Sequence, residues 1–266
     1  MDPAAELVVA DCLAYLGTVE TASIDLVYAD PPFLTQSVRR TGAASFADRF
    51  ESAQHYIEWL RPRLVELHRV LAEAGSIFIH IDYRTTHHVR LLLDEVFGHE
   101  QFRNEIIWRY GLGGRAPARA FARKHDSILF YARDRKNTFH APRGEVTEAM
   151  ERKYRHIDAS GRRYMNAHGR RYQLQGGKLL DSVWEIASIA PTSHERVGYP
   201  TQKPLALLER IILAASQRGE TVLDPFLGSG TTAVAALSHG RLFRGCDLSA
   251  DAVASAQARI APLLRA

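Results

Sequence analysis

The stretch that decides the fold is Thr221-Val222-Leu223-Asp224-Pro225-Phe226-Leu227-Gly228-Ser229-Gly230. A short apolar strand runs into a turn with two glycines, and a helix of small and apolar residues follows over 230–238. Glycine lets the backbone take positive φ and approach a ligand closely. The next strand ends at Asp247, 19 residues beyond Gly228, the usual offset for a carboxylate that binds ribose hydroxyls. The stretch therefore predicts a β-loop-α-β unit for a nucleoside-type cofactor.

This loop does not by itself identify the cofactor. It is not a Walker A loop, because no Lys follows the second glycine. It also departs from Gly-x-Gly-x-x-Gly, since Ala233 takes the third position, although dinucleotide-binding loops accept alanine there. Nicotinamide binding stays open at this point, as does a glycine that serves only helix packing.

A second motif, Asp30-Pro31-Pro32-Phe33, directly follows the apolar strand 24–29. The exocyclic amino groups of adenine and cytosine are poor nucleophiles, because their lone pair is delocalised into the ring. A carboxylate from Asp30 and a carbonyl from Pro31 can accept both N–H groups and stabilise positive charge on the nitrogen. The prolines fix φ, and Phe33 offers a flat face for stacking. The alternative is a rigid strand terminator without chemistry.

Charge is distributed unevenly along the 266 residues. Residues 103–180 hold 18 Lys+Arg against 7 Asp+Glu, a net charge of +11, whereas the rest of the chain carries −7. A basic block in an otherwise acidic chain indicates contact with a polyanion such as nucleic acid, although a solubilising surface segment is the simpler alternative. No stretch is long and apolar enough for a membrane span, and Cys12 and Cys246 suggest no disulfide framework. We expect a reduced, cytoplasmic protein.

Apolar periodicity gives the remaining organisation. Strands are predicted over 7–10, 24–29, 76–81, 106–108, 128–131, 221–223 and 242–246, and helices over 53–73, 84–97, 204–217 and 230–238. Gly75 is expected to stop the first of these helices. Residues 34–50 are polar and are expected to form a loop. This alternation predicts an α/β fold with a doubly wound, mostly parallel sheet. Residues 1–102 and 181–266 would form the cofactor-binding domain, and 103–180 an inserted basic region.

With these motifs in place, the chain resembles the β-group of AdoMet-dependent DNA amino-methyltransferases, in which the catalytic motif precedes the target-recognition region and the cofactor loop. The resemblance covers nearly the whole chain. It is carried by Asp11-Cys12-Leu13, Asp30-Pro31-Pro32-Phe33, His80-Ile81-Asp82, Arg103 to Trp108, Lys124-His125-Asp126, Val183 to Ile186, Gly198 to Pro204 and Asp224 to Gly230. One departure is Phe33, where the family more often has tyrosine, so a phenolic hydrogen bond is lost while stacking is kept.

The resemblance implies a role for each matching residue. Asp30, Pro31, Pro32 and Phe33 would form the catalytic loop. S-adenosyl-L-methionine (AdoMet) would lie against Asp11 and Cys12 at its adenine end and Asp247 at its ribose. The residues that contact its amino-acid end and the rest of the molecule would be Asp30, Lys203, Asp224, Phe226, Gly228, Ser229, Gly230 and Thr231. No metal site is expected. His80 and Asp82 superficially suggest a metal pair, but a packing or loop-anchoring role is the favoured interpretation.

DNA is the expected substrate, and the target base would be flipped out of the duplex. The expected DNA-binding residues are Arg115, Arg119, Arg123, Lys124, Arg162, Arg163, Arg170 and Arg171. Asp30 favours adenine N6 as the methylated atom, because serine at that position is typical of cytosine-N4 enzymes. The alternatives are cytosine N4, a catalytically inactive DNA-binding homologue, and a nicotinamide-dependent oxidoreductase. A homodimer and a cognate restriction endonuclease are further expected partners of a restriction-modification enzyme.

Overall fold

A computed structural model of the chain describes residues 4–34, 37–41, 44–48, 50–111, 118–199 and 201–265. These residues divide into a large unit, 1–139 with 182–266, and a small unit, 140–181. Within the described ranges, no helix combines the length and the apolar character needed to cross a bilayer.

The large unit is built on one eight-stranded sheet. Its strands, in chain order, are β1 (Ala5–Val9), β2 (Ile24–Ala29), β5 (Leu71–Ile81), β6 (Phe102–Arg109), β7 (His125–Ala132), β11 (Val183–Glu185), β12 (Thr221–Asp224) and β13 (Leu242–Asp247). Their order in the sheet is β1-β13-β12-β2-β5-β7-β6-β11. Neighbouring strands pair in parallel except where β7 meets β5 and β6. The predicted α/β class with a mostly parallel sheet is confirmed.

Helices of the large unit are α1 (Cys12–Leu16), α2 (Ala53–Val70), α3 (Thr86–Phe97), α5 (Leu205–Ala215), α6 (Thr231–Ser238) and α7 (Ala250–Ile260). A separate hairpin pairs β3 (Ser37–Thr41) with β4 (Ala44–Asp48). The core forms two clusters of buried side chains. One includes residues of α1, α2 and α3, and the other includes residues of α5, α6 and α7. Burial on both faces explains the continuous apolar runs that marked the strands.

Three local predictions differ from the structure. The helix predicted over 53–73 ends at Val70, because the chain becomes extended at Leu71 and enters β5. Gly75, expected to stop that helix, lies instead at a register shift of β5, where a Cβ would come within 2.9 Å of the Ala72 carbonyl oxygen. Part of the polar stretch 34–50 forms the β3–β4 hairpin, since a backbone ladder needs no apolar side chains.

The small unit has its own three-stranded antiparallel sheet. The strands of this sheet are β8 (His156–Ile157), β9 (Arg163–Ala167) and β10 (Arg170–Gln173), with β9 between the other two. The unit also contains the helix α4 (Glu148–Lys153). This unit is shorter than the inserted region expected over 103–180. Residues 103–139 belong to the large unit, because β6 and β7 pair into the main sheet.

Candidate active site

Five aspartates lie at one edge of the large sheet. Because β1, β13, β12, β2 and β5 are mutually parallel neighbours, their carboxyl ends meet at that edge. At or just beyond these ends lie Asp11, Asp247, Asp224, Asp30 and Asp82. Two motifs nearly two hundred residues apart in sequence are thereby brought to one place.

The order of strands also creates a crevice. From β2 the chain moves to β5 on one side, and from β12 it moves to β13 on the other, so the topology reverses between β12 and β2. Open α/β sheets bind ligands outside the carboxyl ends of strands at such a switch point. Asp224 ends β12 and Asp30 follows β2, so both motifs flank the crevice.

Among the described residues, the hydrogen bond that holds Asp30 is made to one of its two oxygens. The Lys203 ammonium donates a hydrogen bond to its Oδ2. Oδ1 is buried and has no hydrogen-bond partner among the described residues. The same Lys203 nitrogen lies 5.3 Å from the centroid of the Phe33 ring. A carboxylate with one oxygen held and the other without a partner is arranged to accept a hydrogen bond from a ligand.

The glycine turn has the backbone geometry that its sequence predicts. Gly228 has φ +50° and Gly230 has φ +76°, both in the left-handed region. A Cβ on Gly230 would come within 2.5 Å of the Ala256 Cβ, so glycine also allows α6 and α7 to pack together. The carboxylate of Asp247 accepts from the backbone N–H of Gly228 at 2.8 Å and of Ser249 at 2.9 Å. The turn is therefore fixed before any ligand binds.

Asp224 is the most deeply enclosed carboxylate at this edge. It accepts from the backbone N–H of Phe226 at 3.0 Å and from the Thr232 hydroxyl at 2.6 Å. Burial, with smaller effects from the charges of Asp30 and Asp247, raises the pKa of Asp224 to about 7 despite those hydrogen bonds. Burial also raises the pKa of Asp247. Clustered carboxylates with raised pKa values favour a cationic ligand.

Ser229 and Thr231 have a supporting position. Both side chains are almost fully buried. Arg259 of α7 donates to the Ser229 carbonyl oxygen at 2.7 Å and to the Thr231 hydroxyl at 3.0 Å. These contacts stabilise the turn from behind, so the expectation that both side chains contact the cofactor stays a prediction.

At the other end of the edge, Asp11 caps α1. Its Oδ1 accepts from the Leu13 N–H at 2.9 Å, and its Oδ2 accepts from Arg63 at 3.0 Å. The same guanidinium lies 3.2 Å from the Cys12 sulfur and 4.0 Å from the centroid of Trp59. Burial raises the pKa of the Cys12 thiol to about 11, despite the opposing charge of Arg63, which makes it an inert packing group.

Arg63 and Trp59 were not identified from the sequence. They lie one helical turn apart on α2, where they read as part of an ordinary amphipathic pattern. Trp59 is also 6.1 Å from Phe226 between ring centroids, so aromatic surface joins the glycine turn to α2. The signal that could have identified them is the i, i+4 spacing of an aromatic ring and a guanidinium.

His80 and Asp82 have separate partners. His80 hydrogen-bonds Tyr28 at 2.8 Å and Asp126 at 3.1 Å, and Asp82 accepts from the Arg84 backbone N–H at 2.9 Å and forms an ion pair with its guanidinium. In the described ranges, no group of three or more His, Cys, Asp or Glu side chains is arranged to hold a metal ion.

The expected DNA-binding residues lie in both units. Arg115 lies outside the described residues. Arg119 and Arg123 are exposed and Lys124 is half-buried in the large unit, where Arg123 lies 4.1 Å over the ring of Tyr83. In the small unit, Arg171 lies 4.1 Å over Tyr164, while Arg170 is exposed.

Arg162 and Arg163 are less free than their sequence suggested. Arg162 lies 4.0 Å from Asp158 and donates to the Ser160 hydroxyl at 2.9 Å. Arg163 lies 3.9 Å from Glu151. Each guanidinium therefore already has a carboxylate nearby within the small unit, which reduces the positive charge available to a phosphate.

Comparison with known proteins assigns the family. The N6/N4 methyltransferase family, described as DNA methylase, matches residues 24–258. The chain is 31% identical over 244 residues to the DNA adenine methyltransferase YhdJ of Escherichia coli K12, covering 91% of this chain and 77% of YhdJ. The chain belongs to the N6/N4 family of DNA methylases. Membership makes it an AdoMet-dependent DNA methyltransferase, which confirms the enzyme class, the cofactor and the family expected from the motifs.

Other relatives agree. The Type II methyltransferase M.HpaI of Haemophilus parainfluenzae is 30% identical over 257 residues, covering 96% of this chain and 73% of the relative. Among solved structures, TTHA0409 of Thermus thermophilus matches with a TM-score of 0.64 and 21% identity, covering 97% of this chain and 95% of that one. The cytosine-N4-specific PvuII DNA methyltransferase matches with a TM-score of 0.67 and 16% identity, covering 99% and 94%. At these identities the two structures show the shared fold.

Proposed function

We propose that this DNA methyltransferase transfers the methyl group of AdoMet to the N6 amino group of adenine, presented as a flipped base to the Asp30 loop. The observation that carries the proposal is the state of the Asp30 carboxylate. Lys203 holds Oδ2, while Oδ1 is buried and has no hydrogen-bond partner among the described residues. A buried acceptor without a donor is costly to leave unpaired, and an amino N–H of the substrate supplies the missing donor.

The residues present fit AdoMet. Its methionine amino group and sulfonium are cationic, and the crevice brings together Asp30, Asp224 and Asp247, two of them with raised pKa values. The left-handed φ angles of Gly228 and Gly230 allow the tight turn that places the backbone of this loop beside the crevice. AdoMet supplies an electrophilic methyl group on sulfur.

We assign the remaining contacts by position. Phe226 and Trp59 offer aromatic surface beside the glycine turn, and Asp11 with Arg63 and Cys12 borders that surface along α1 and α2. The adenine ring of the cofactor would lie in this region. Lys203, which was expected to line the amino-acid end, would act through its ion pair with Asp30.

The chain itself then performs three tasks. Asp30 Oδ1 and the Pro31 carbonyl oxygen accept the two N–H groups of the target amine, which directs the nitrogen lone pair away from the ring. Phe33 stacks on the base and fixes its plane. As positive charge develops on nitrogen, the Asp30 carboxylate stabilises it and takes the proton that the nitrogen releases. Lys203 keeps Oδ2 occupied, so that Oδ1 alone faces the substrate.

Adenine is the proposed base for two reasons. Asp30 stands where serine is typical of cytosine-N4 enzymes, and the relative YhdJ is named as a DNA adenine methyltransferase. Methylation of cytosine N4 is the alternative outcome of the test.

Target recognition is proposed for the basic region 103–180, of which the small unit is one part. The support is its net charge of +11 and its exposed guanidinium groups. The relatives M.HpaI and M1.MboII are named Type II methyltransferases. A cognate endonuclease, a homodimer and a cytoplasmic location stay predictions for this chain.

One experiment tests the function. The purified protein is incubated with unmethylated genomic DNA and AdoMet, and the DNA is sequenced by a method that separates N6-methyladenine from N4-methylcytosine. We expect N6-methyladenine within one short recognition sequence. N4-methylcytosine would overturn the choice of base, and unmodified DNA despite measured AdoMet binding would overturn the activity. The recognition sequence so found supplies the oligonucleotide duplexes used below.

A further inference from the structure

His80 lies completely buried beneath the catalytic loop and has partners on two neighbouring strands. Its Nδ1 is 2.8 Å from the Tyr28 hydroxyl on β2, and its Nε2 is 3.1 Å from Asp126 Oδ2 on β7. Because β2, β5 and β7 are adjacent in the sheet, the three side chains form one hydrogen-bonded row across it. The methyl transfer described above does not use this row.

The chemistry of the two partners sets the direction of both hydrogen bonds. Burial raises the pKa of Tyr28 far above its ordinary value, and the charges of Asp30, Asp224 and Asp126 raise it further, so the hydroxyl keeps its proton and donates to Nδ1. Burial also raises the pKa of Asp126, but the His80 hydrogen bond and nearby charges outweigh it and give a net lowering, so Asp126 is an ionised acceptor for Nε2–H. An imidazole bound at both nitrogens cannot rotate without breaking both bonds.

Phe33 rests against this fixed ring. The centroids of Phe33 and His80 are 5.7 Å apart, and their planes are inclined by 31°. Trp108 contacts the imidazole edge-on at 5.4 Å and is itself held by a hydrogen bond of 2.8 Å from its Nε1 to the Ile186 carbonyl oxygen. The imidazole therefore lies between the hydrogen-bonded indole of Trp108 and the ring of Phe33.

Phe33 has no polar atom through which its orientation could be fixed. Its plane depends on the groups that contact the ring. In the described residues these include the Lys203 ammonium, 5.3 Å from the centroid, and one other ring, that of His80. We propose that His80 is a positioning residue, which holds the ring of Phe33 in the plane on which the target base stacks. This inference rests on the proposed function, since it assigns to Phe33 the stacking of that base.

The inference explains why a histidine, rather than a phenylalanine, occupies a fully buried position. A phenylalanine would pack equally well but could rotate, and it would remove the hydrogen bonds that His80 makes to the Tyr28 hydroxyl and to Asp126 Oδ2. It also gives a role to two stretches that the methyl-transfer chemistry does not otherwise use, His80-Ile81-Asp82 and Lys124-His125-Asp126.

A double-mutant cycle tests this role. His80→Gln removes the ring, and Phe33→Leu removes the flat face while keeping an apolar side chain. In the Phe33 background we expect His80→Gln to lower kcat/KM for the cognate duplex roughly 10- to 100-fold, the scale of a misplaced reacting group, with AdoMet affinity within about two-fold. In the Phe33→Leu background the same change should lower kcat/KM by less than about two-fold, because there is no aromatic ring at position 33 left to orient.

The control is His68→Gln on α2, where His68 contacts Arg133 and lies outside the aspartate edge. Its small effect should be the same in both backgrounds. An equal loss from His80→Gln in both backgrounds would show that His80 only supports the fold, and the positioning role would be abandoned.

Asp126→Asn is the second variant, because it keeps an acceptor for Nε2 and so disturbs folding less. It should show the same dependence on Phe33, with a smaller loss. A crystal structure of His80→Gln separates this inference from the proposed function. We expect Phe33 to turn while residues 224–230 stay in place, and an unmoved Phe33 overturns the inference even where methyl transfer is confirmed. Failure of the wild type to methylate any DNA overturns the proposed function and the inference together.

Discussion

At the residue scale, the two oxygens of Asp30 have different surroundings. Oδ2 is bound by Lys203, and Oδ1 has no protein hydrogen-bond partner in the described ranges. The motif around Asp30 could be identified from sequence because its four residues are contiguous. The row Tyr28–His80–Asp126 could not, since its members are about fifty residues apart and meet only through the order of β2, β5 and β7.

We expect Asp30→Asn to reduce kcat by at least about a thousand-fold, because the amide cannot stabilise positive charge or take a proton. AdoMet affinity should change only a few-fold, since Asp224 and Asp247 remain. Single-turnover methyl transfer and calorimetry measure the two quantities. Near-normal turnover by the variant would falsify the assignment of Asp30.

The raised pKa of Asp224 predicts that cofactor binding depends on pH. In the free protein its pKa is raised to about 7, mainly by burial. A cationic ligand favours the ionised carboxylate and lowers this pKa, so binding below pH 7 releases a proton. Affinity for AdoMet should therefore rise between pH 5.5 and 7.

Calorimetry in two buffers of different ionisation enthalpy measures that proton release. Asp224→Asn keeps the shape of the side chain, and its affinity should change less over the same pH range than that of the wild type. A wild type and variant with the same pH dependence would remove Asp224 from the cationic part of the site.

At the element scale, the β12–α6 connection illustrates what local sequence encodes. The strand, the turn and the helix were predicted nearly to their observed bounds, because glycine and the apolar runs act locally. The end of α2 was misplaced by three residues, since Leu71 continues the helical apolar pattern but is drawn into β5 by pairing with Ile24. Tertiary pairing there overrides a local preference.

A comparison of Gly219 and Gly230, which have similar φ angles, distinguishes the cost of backbone strain from the cost of overpacking. Gly219 has φ +85° and no atom within 4 Å of a built Cβ, whereas a Cβ on Gly230 would meet Ala256. Gly219→Ala should lower the free energy of unfolding by about 1 kcal/mol, the cost of the left-handed conformation. Gly230→Ala should lower it by roughly 2–5 kcal/mol, because overpacking adds to that strain.

Chemical denaturation measures both free energies, and AdoMet binding should weaken only in the Gly230 variant. Equal destabilisation by the two substitutions would mean that α7 moves aside without cost.

At the scale of the whole molecule, charge separates an acidic crevice from a basic region. Among the small-unit arginines, Arg170 is exposed, while Arg162 and Arg163 have carboxylates within about 4 Å. Arg170→Gln should therefore reduce the slope of log K against log salt for DNA binding by about 1, and Arg162→Gln by less.

The matched control is Arg218→Gln. Arg218 is exposed and precedes β12, at the edge of the sheet opposite the aspartates. The slope of log K against log salt for DNA binding by this variant should equal that of the wild type. The same reduction from Arg218 and Arg170 would indicate a diffuse electrostatic effect instead of a phosphate contact.

The position of β1 has a consequence for biosynthesis. This strand is at the border of the sheet, and among the described strands its partner is β13, which lies more than two hundred residues later. A ribosome takes on the order of ten seconds or more to add that much polypeptide. Through this interval β1 lacks its partner β13, and the glycine turn is made nearly two hundred residues after the Asp30 loop. The loop proposed to bind the base is therefore synthesised well before the glycine turn proposed to hold the methyl donor.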